Sequence, residues 1–226
     1  LRDEGRHPPQ GAVMSRGTRT LIDGPIGKLE VLLENPATAP VRAFGVVCHP
    51  HPLQGGTLDN KVVYTLARAL QDAGLPTVRF NYRGVGQSEG EYDEGRGETL
   101  DALAVATWGA VRSPGARVWF AGFSFGGFVA INASRQQHAE RVIVVAPAVG
   151  RLSNFRVDGP RCPWLLVQGD ADEVIAPATV LDWAREQTPL PEIAVFSGVG
   201  HFFHGKLTEL RDRVVSFAQK AESPAG

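Results

Sequence analysis

The sequence predicts a single doubly wound α/β domain, a mostly parallel eight-stranded sheet with helices on both faces. Three observations predict it. Short apolar and β-branched runs alternate with helix-period stretches; an apolar share of 43% in 226 residues suffices for one sizeable core; and no linker or internal repeat divides the chain.

The elements follow in order. Strands are predicted over Thr18–Asp23, Lys28–Glu34, Arg42–His49, Pro76–Tyr82, Ala116–Phe123, Arg141–Ala146, Pro163–Gln168 and Glu192–Ser197. After the third strand, Val62, Val63, Leu66, Ala67, Leu70 and Ala73 recur at helical spacing, and Gly74 stands in a stop position. Further helices are predicted over Glu98–Val111, with Gly115 as its stop, over Phe125–Gln137 and over Pro177–Gln187. Leu207, Leu210, Val214 and Phe217 mark a last one. From the third strand onward the order is mostly strand, helix, strand, helix, so the sheet is parallel and functional loops lie outside the carboxyl ends of its strands. Val149–Arg161 is the longest connection without helical periodicity and is too short for a separate domain.

Composition narrows the function classes. The 23 basic and 24 acidic residues nearly cancel, and no Lys/Arg block or basic stripe occurs, which argues against a nucleic-acid partner and for a neutral small molecule. Cys48 and Cys162 lie far apart in apolar surroundings, as reduced buried thiols do. No run of about 18 apolar residues occurs, and the N-terminus lacks a basic-then-apolar pattern, so no membrane partner and a cytoplasmic location are expected. The chain starts at Leu1 and its only methionine is Met14; residues 1–13 are read as an upstream remnant and 14–226 as the domain.

Gly122-Phe123-Ser124-Phe125-Gly126 matches G-x-S-x-G where a predicted strand ends and a helix begins, the context in which that motif carries chemistry. Glycines flank the serine because a sharp strand-to-helix turn crowds its neighbours. The turn lifts the Ser124 hydroxyl clear of the backbone and aims the Phe125 amide, near the positive end of the helix, at a developing oxyanion. A turn that merely joins strand to helix is the bland alternative. A serine hydroxyl needs an adjacent base, itself held by an acid, and these partners should follow in the order acid, then histidine. After the seventh strand comes Gly169-Asp170-Ala171-Asp172-Glu173-Val174, and after the last comes Gly198-Val199-Gly200-His201. His201 is the candidate base and Asp170 or Asp172 the acid.

With these three motifs in order, the sequence resembles the α/β-hydrolase superfamily over Thr18 to Lys220. The resemblance implies a serine hydrolase, and its Gly-x-x-Asp pattern selects Asp172, leaving Asp170 as a loop-turn residue. His204 then has a supporting or solvated place. Cys48-His49-Pro50-His51-Pro52-Leu53-Gln54-Gly55-Gly56, followed by Asp59-Asn60-Lys61, is similar to small lidless bacterial hydrolases with an HPHP turn. That turn stands where the superfamily keeps its second oxyanion amide. Prolines have no N–H, so His51 is the first choice of donor and Leu53 the second. The resemblance makes Asn81–Ser88 a turn-shaping loop. The acidic, Gly-rich run Glu89–Glu98 reads as a solvated loop or a border of the pocket.

Superfamily caps enter after the sixth strand, where this chain has only Val149–Arg161. The resemblance therefore implies no cap domain and an open site suited to small acyl groups. Phe202, Phe203 and Trp164, with Phe123 and Phe125, are candidates to line a shallow cleft, with core packing as the alternative for each. The resemblance favours small carboxylic esters with neither cofactor nor metal, and leaves thioesterase, lactonase and peptidase activity open.

Rival readings are weaker. Gly200 to Lys206 fits most of a phosphate loop, but Leu207 stands where Ser or Thr is required; Gly84 to Gly90 misses the dinucleotide fingerprint by one residue. A metal-dependent hydrolase would gather His49, His51, His201, His204 and Asp172, which form no compact ligand motif. A catalytically silent binding module would keep the fold alone.

Overall fold

The structure, a computed structural model, describes residues 17–34, 41–150 and 157–220. The segment 1–13 and the middle of the Val149–Arg161 connection lie outside the described residues. The strands are β1 (Thr18–Asp23), β2 (Lys28–Glu34), β3 (Ala43–Cys48), β4 (Thr77–Phe80), β5 (Arg117–Phe123), β6 (Arg141–Val145), β7 (Trp164–Gly169) and β8 (Glu192–Phe196). They form one sheet in the order β1-β2-β4-β3-β5-β6-β7-β8. β1 pairs antiparallel with β2, and β2 with β4; every pair from β4 to β8 is parallel. The fold class expected from the sequence is the one observed.

Strand alternation divides the core. In β5, Val118 and Phe120 point to one face while Trp119, Ala121 and Phe123 point to the other. The first face is covered by α2 (Arg96–Arg112), α3 (Phe125–Gln136) and α4 (Pro177–Arg185), the second by α1 (Lys61–Asp72) and α5 (Leu207–Gln219). A buried side chain such as Phe120 contributes about 1.5–3 kcal/mol. Local chemistry starts the helices: the Asn60 side chain accepts from the amides of Val62 and Val63, and Glu98 reaches back to the amides of Asp93 and Gly95.

Neighbouring strands β3 and β5 send their chains to opposite faces, β3 towards α1 and β5 towards α3. Their diverging carboxyl ends open the crevice at which doubly wound sheets hold ligands. Several strands stop one or two residues before the sequence pattern does. His49 leaves the ladder because its ring turns inward, Nδ1–H meeting the Pro50 carbonyl at 2.7 Å and Nε2 accepting the Tyr82 amide at 3.2 Å. Ala146 leaves β6 at φ 44°.

Two buried ion pairs brace β4 and the turn that follows it. Arg79 donates twice to Glu34, at 2.8 and 3.0 Å, and once to the Leu58 carbonyl. Arg83 donates to both oxygens of Asp101 from the turn after β4, so Asn81–Ser88 shapes the backbone as expected.

Candidate active site

Ser124 stands between β5 and α3 at φ 55° and ψ −118°. That backbone region costs a non-glycine residue about 1–3 kcal/mol and persists only where the surroundings impose it. Here they do. The Ser124 amide donates to Val145 O at 2.9 Å, and its carbonyl accepts from Gly127 at 2.9 Å and Ala148 at 3.1 Å. A Cβ on Gly122 would strike the Gly126 carbonyl, and one on Gly126 would strike the Cys48 carbonyl, so both positions of the motif require glycine.

The Ser124 Oγ lies 3.1 Å from His201 Nε2, and His201 Nδ1 lies 2.8 Å from Asp172 Oδ2. With the carboxylate facing Nδ1, the imidazole carries its proton there and offers Nε2 to the serine hydroxyl. The two loops that hold acid and base are joined: the Ala171 amide donates to Val199 O at 3.1 Å, and the His201 amide to Glu173 Oε2 at 3.2 Å. The Phe123 ring lies 4.9 Å from the imidazole and closes its inner side.

Asp172 receives four donors. Oδ1 accepts the Val174 and Ile175 amides, each at 2.8 Å; Oδ2 accepts His201 and, at 3.0 Å, Gln168 Nε2. Burial pushes its pKa up, but the His201 hydrogen bond, the two amides and attraction to His201 outweigh it, and the net shift is downward. Asp170 instead accepts the Gly198 amide at 2.6 Å from an exposed position, the turn role expected of it.

Across the serine, Phe125 opens α3, so its amide has no preceding helical turn to accept it. The Leu53 amide is committed to His51 Nδ1 at 3.2 Å, whereas the His51 amide has no acceptor among the described residues. That difference favours His51 over Leu53 as an available donor. His51 Nε2 lies 3.1 Å from the Tyr92 hydroxyl, and the His51, Tyr92 and Phe125 rings form one cluster with centroids 5.0–6.0 Å apart. The Glu89–Glu98 run therefore borders the site, and Glu98 within it is buried rather than solvated.

Two expected cleft residues lie elsewhere. Trp164 begins β7, whose far end leads to Asp172, and is 1% exposed against Trp183 with its indole on the Pro189 carbonyl. Four residues of strand at about 3.3 Å each separate it from Gln168. Phe203 is wholly buried against Phe196. Phe202 is 44% exposed and meets the His201 ring edge-on at 5.2 Å, so it alone of the three borders the site. Phe123 and Phe125 are buried, and His204 is exposed. His49 has both ring nitrogens taken by backbone groups, and burial drives its pKa down to about 3. Among the described residues, no three His, Cys, Asp or Glu side chains group as metal ligands.

Sequence reading missed Tyr92, Gln168 and Glu173. Only Gln168 left a signal, a polar side chain in the apolar run Trp164–Val167.

An open, mostly parallel sheet with a serine at the turn between its central strand and a helix defines a class of proteins, the α/β hydrolases, and this chain belongs to that superfamily. Residues 53–158 match the family model described as serine aminopeptidase, S33. An α/β serine hydrolase homologue from Coxiella burnetii is 43% identical, with 92% of this chain and 99% of that one covered at a TM-score of 0.85. A Xanthomonas campestris structure described as an α/β serine hydrolase without lid is 37% identical, with 96% and 100% covered at 0.85. An uncharacterized protein of Rickettsia prowazekii is 33% identical over 199 residues, 83% of each chain.

Proposed function

We propose that this protein is a serine hydrolase of small carboxylic esters, with Ser124 as nucleophile, His201 as base and Asp172 as the acid that orients it. The observation that carries the reading is the continuous hydrogen-bonded chain from Ser124 Oγ through His201 to Asp172. Ser124 Oγ bonds to the substrate carbonyl carbon as its proton passes to His201 Nε2, and the amides of Phe125 and His51 hold the oxyanion. The carbon–oxygen bond to the leaving alcohol then breaks, and His201 returns the proton to that alcohol. Water next gives a proton to His201 and attacks the acyl carbon; the acid departs and Ser124 regains its proton. Asp172 stays ionised throughout and stabilises the imidazolium.

Among the described residues, the exposed apolar side chains support short acyl groups. Leu53, 72% exposed, and Phe202 are apolar but shallow, so each extra CH₂ gains little of the roughly 0.8 kcal/mol available in a deep pocket. A cytoplasmic setting is part of the proposal: the thiols of Cys48 and Cys162 are free, and burial raises them to about 12 and about 11. No helix among the described residues is long and apolar enough to cross a membrane.

The match to a serine aminopeptidase model favours a second reading, amide hydrolysis by the same three residues. A panel of nitrophenyl esters, thioesters, lactones and aminoacyl anilides, run on wild type beside Ser124→Ala, separates the readings. Fastest turnover of short esters, lost in Ser124→Ala, is expected. Faster turnover of anilides transfers the protein to the peptidases, and stoichiometric binding without turnover of any substrate revives the silent module.

A further inference from the structure

We propose that Gln168 is a positioning residue that sets the charge and orientation of Asp172. The inference rests on the reading of Ser124, His201 and Asp172 as the reacting set. Gln168 occupies the last position but one of β7, fully buried, on the face that also receives Trp164 and Leu166. An apolar side chain would suit that face. Instead the Gln168 amide donates to Asp172 Oδ2 at 3.0 Å and to the Gly169 carbonyl at 3.2 Å, while its Oε1 has no partner among the described residues.

The unpartnered oxygen is the informative part. Turning the amide over would satisfy nothing, because it would press Oε1 against the Asp172 carboxylate. The amide thus stands turned so that its N–H meets the acid, an orientation that packing alone does not explain.

That N–H acts on the oxygen that also holds His201. By sharing Oδ2, Gln168 draws charge from the acid and tempers its pull on the imidazole proton. It also fixes the carboxylate plane together with the amides of Val174 and Ile175. The other charged groups nearby have their own partners: Glu173 Oε2 accepts the His201 amide and Asp170 Oδ1 the Gly198 amide. Of the α4 residues, Val180 and Ala184 reach this core, and both are apolar.

Gln168→Met keeps length and burial but removes both the donor and the orphan acceptor. The expected result is an unchanged or higher Tm, a kcat lower by about 10- to 100-fold with KM nearly constant, and an acid limb of the pH–rate profile moved to higher pH. Gln168→Glu places a second carboxyl beside Asp172; burial and the neighbouring carboxylate keep it protonated, its O–H takes the place of the Gln168 N–H, and the limb should stay nearer the wild-type position than in Gln168→Met. A Gln168→Met enzyme with the wild-type limb, whether its activity is intact or has fallen along with Tm, overturns the proposal. Ser124→Ala in the same assays keeps the two claims apart: turnover that survives it removes the reacting set itself, whereas its loss beside an unmoved Gln168→Met limb removes only the role of Gln168.

Discussion

The first turn of α3 lies against the end of β3, where a Cβ on Gly126 would meet the Cys48 carbonyl and come within 2.6 Å of the His49 carbonyl. This contact joins the turn that carries Ser124 to the loop that carries His51. Gly126→Ala should therefore push the two apart, destabilise the fold by about 1–3 kcal/mol and lower kcat/KM by about 100-fold. Thermal unfolding beside steady-state kinetics checks both, and wild-type values for the pair would show that the contact positions nothing.

Asp172 and Asp170 differ by two residues and by everything they touch. Asp172→Asn removes the acceptor that selects the His201 tautomer, and kcat should fall by about four orders of magnitude. Asp170→Asn leaves His201 untouched and should cost less than tenfold. The reverse ranking would move the acid's role to Asp170.

His49 makes stability depend on pH. Its folded-state pKa, about 3, lies below the unfolded value near 6.5, so the unfolded chain takes up the proton first as pH falls. Stability should then decline from about pH 6.5 downward, by up to about 1.4 kcal/mol per pH unit, until the folded value is reached. His51, lowered by its own burial, adds to the decline in the same direction. Asp172 acts lower: its depressed pKa adds stability that is present above about pH 3.9 and is lost as pH falls through the folded value. Denaturant titrations from pH 7 to 4.5 should show a shallower slope for His49→Gln than for wild type, and equal slopes would contradict the buried neutral imidazole.

Much of this was legible in the sequence because its causes are local. The glycines around Ser124, the apolar runs of β3, β5, β6 and β7 and the glycine-bearing loops before Asp172 and His201 each lie within a few residues of the feature they signal. What failed depends on register and distance. Trp164 was one of several aromatics near the motifs in sequence, yet it stands at the end of its strand away from the acid. Phe203 is adjacent to an exposed aromatic but turns into the core at φ 53°. The Tyr92–His51 contact spans 41 residues between two loops, and no pattern within either loop encodes it.

The proposed preference for short acyl groups rests on the exposure of Leu53 and Phe202. Nitrophenyl esters from acetate to palmitate should give the highest kcat/KM at the short end, with no activation at a lipid interface. A maximum among the longest chains would mean that a deep acyl channel exists.

The central claim is that Ser124 is a nucleophile activated by His201, and covalent labelling addresses it most directly. A fluorophosphonate should add once to the native protein, with the mass on the peptide that contains Ser124, and should fail on Ser124→Ala and react far more slowly with His201→Ala. Ester turnover that persists in a native protein refractory to the probe, or a label carried by any other residue, would contradict it.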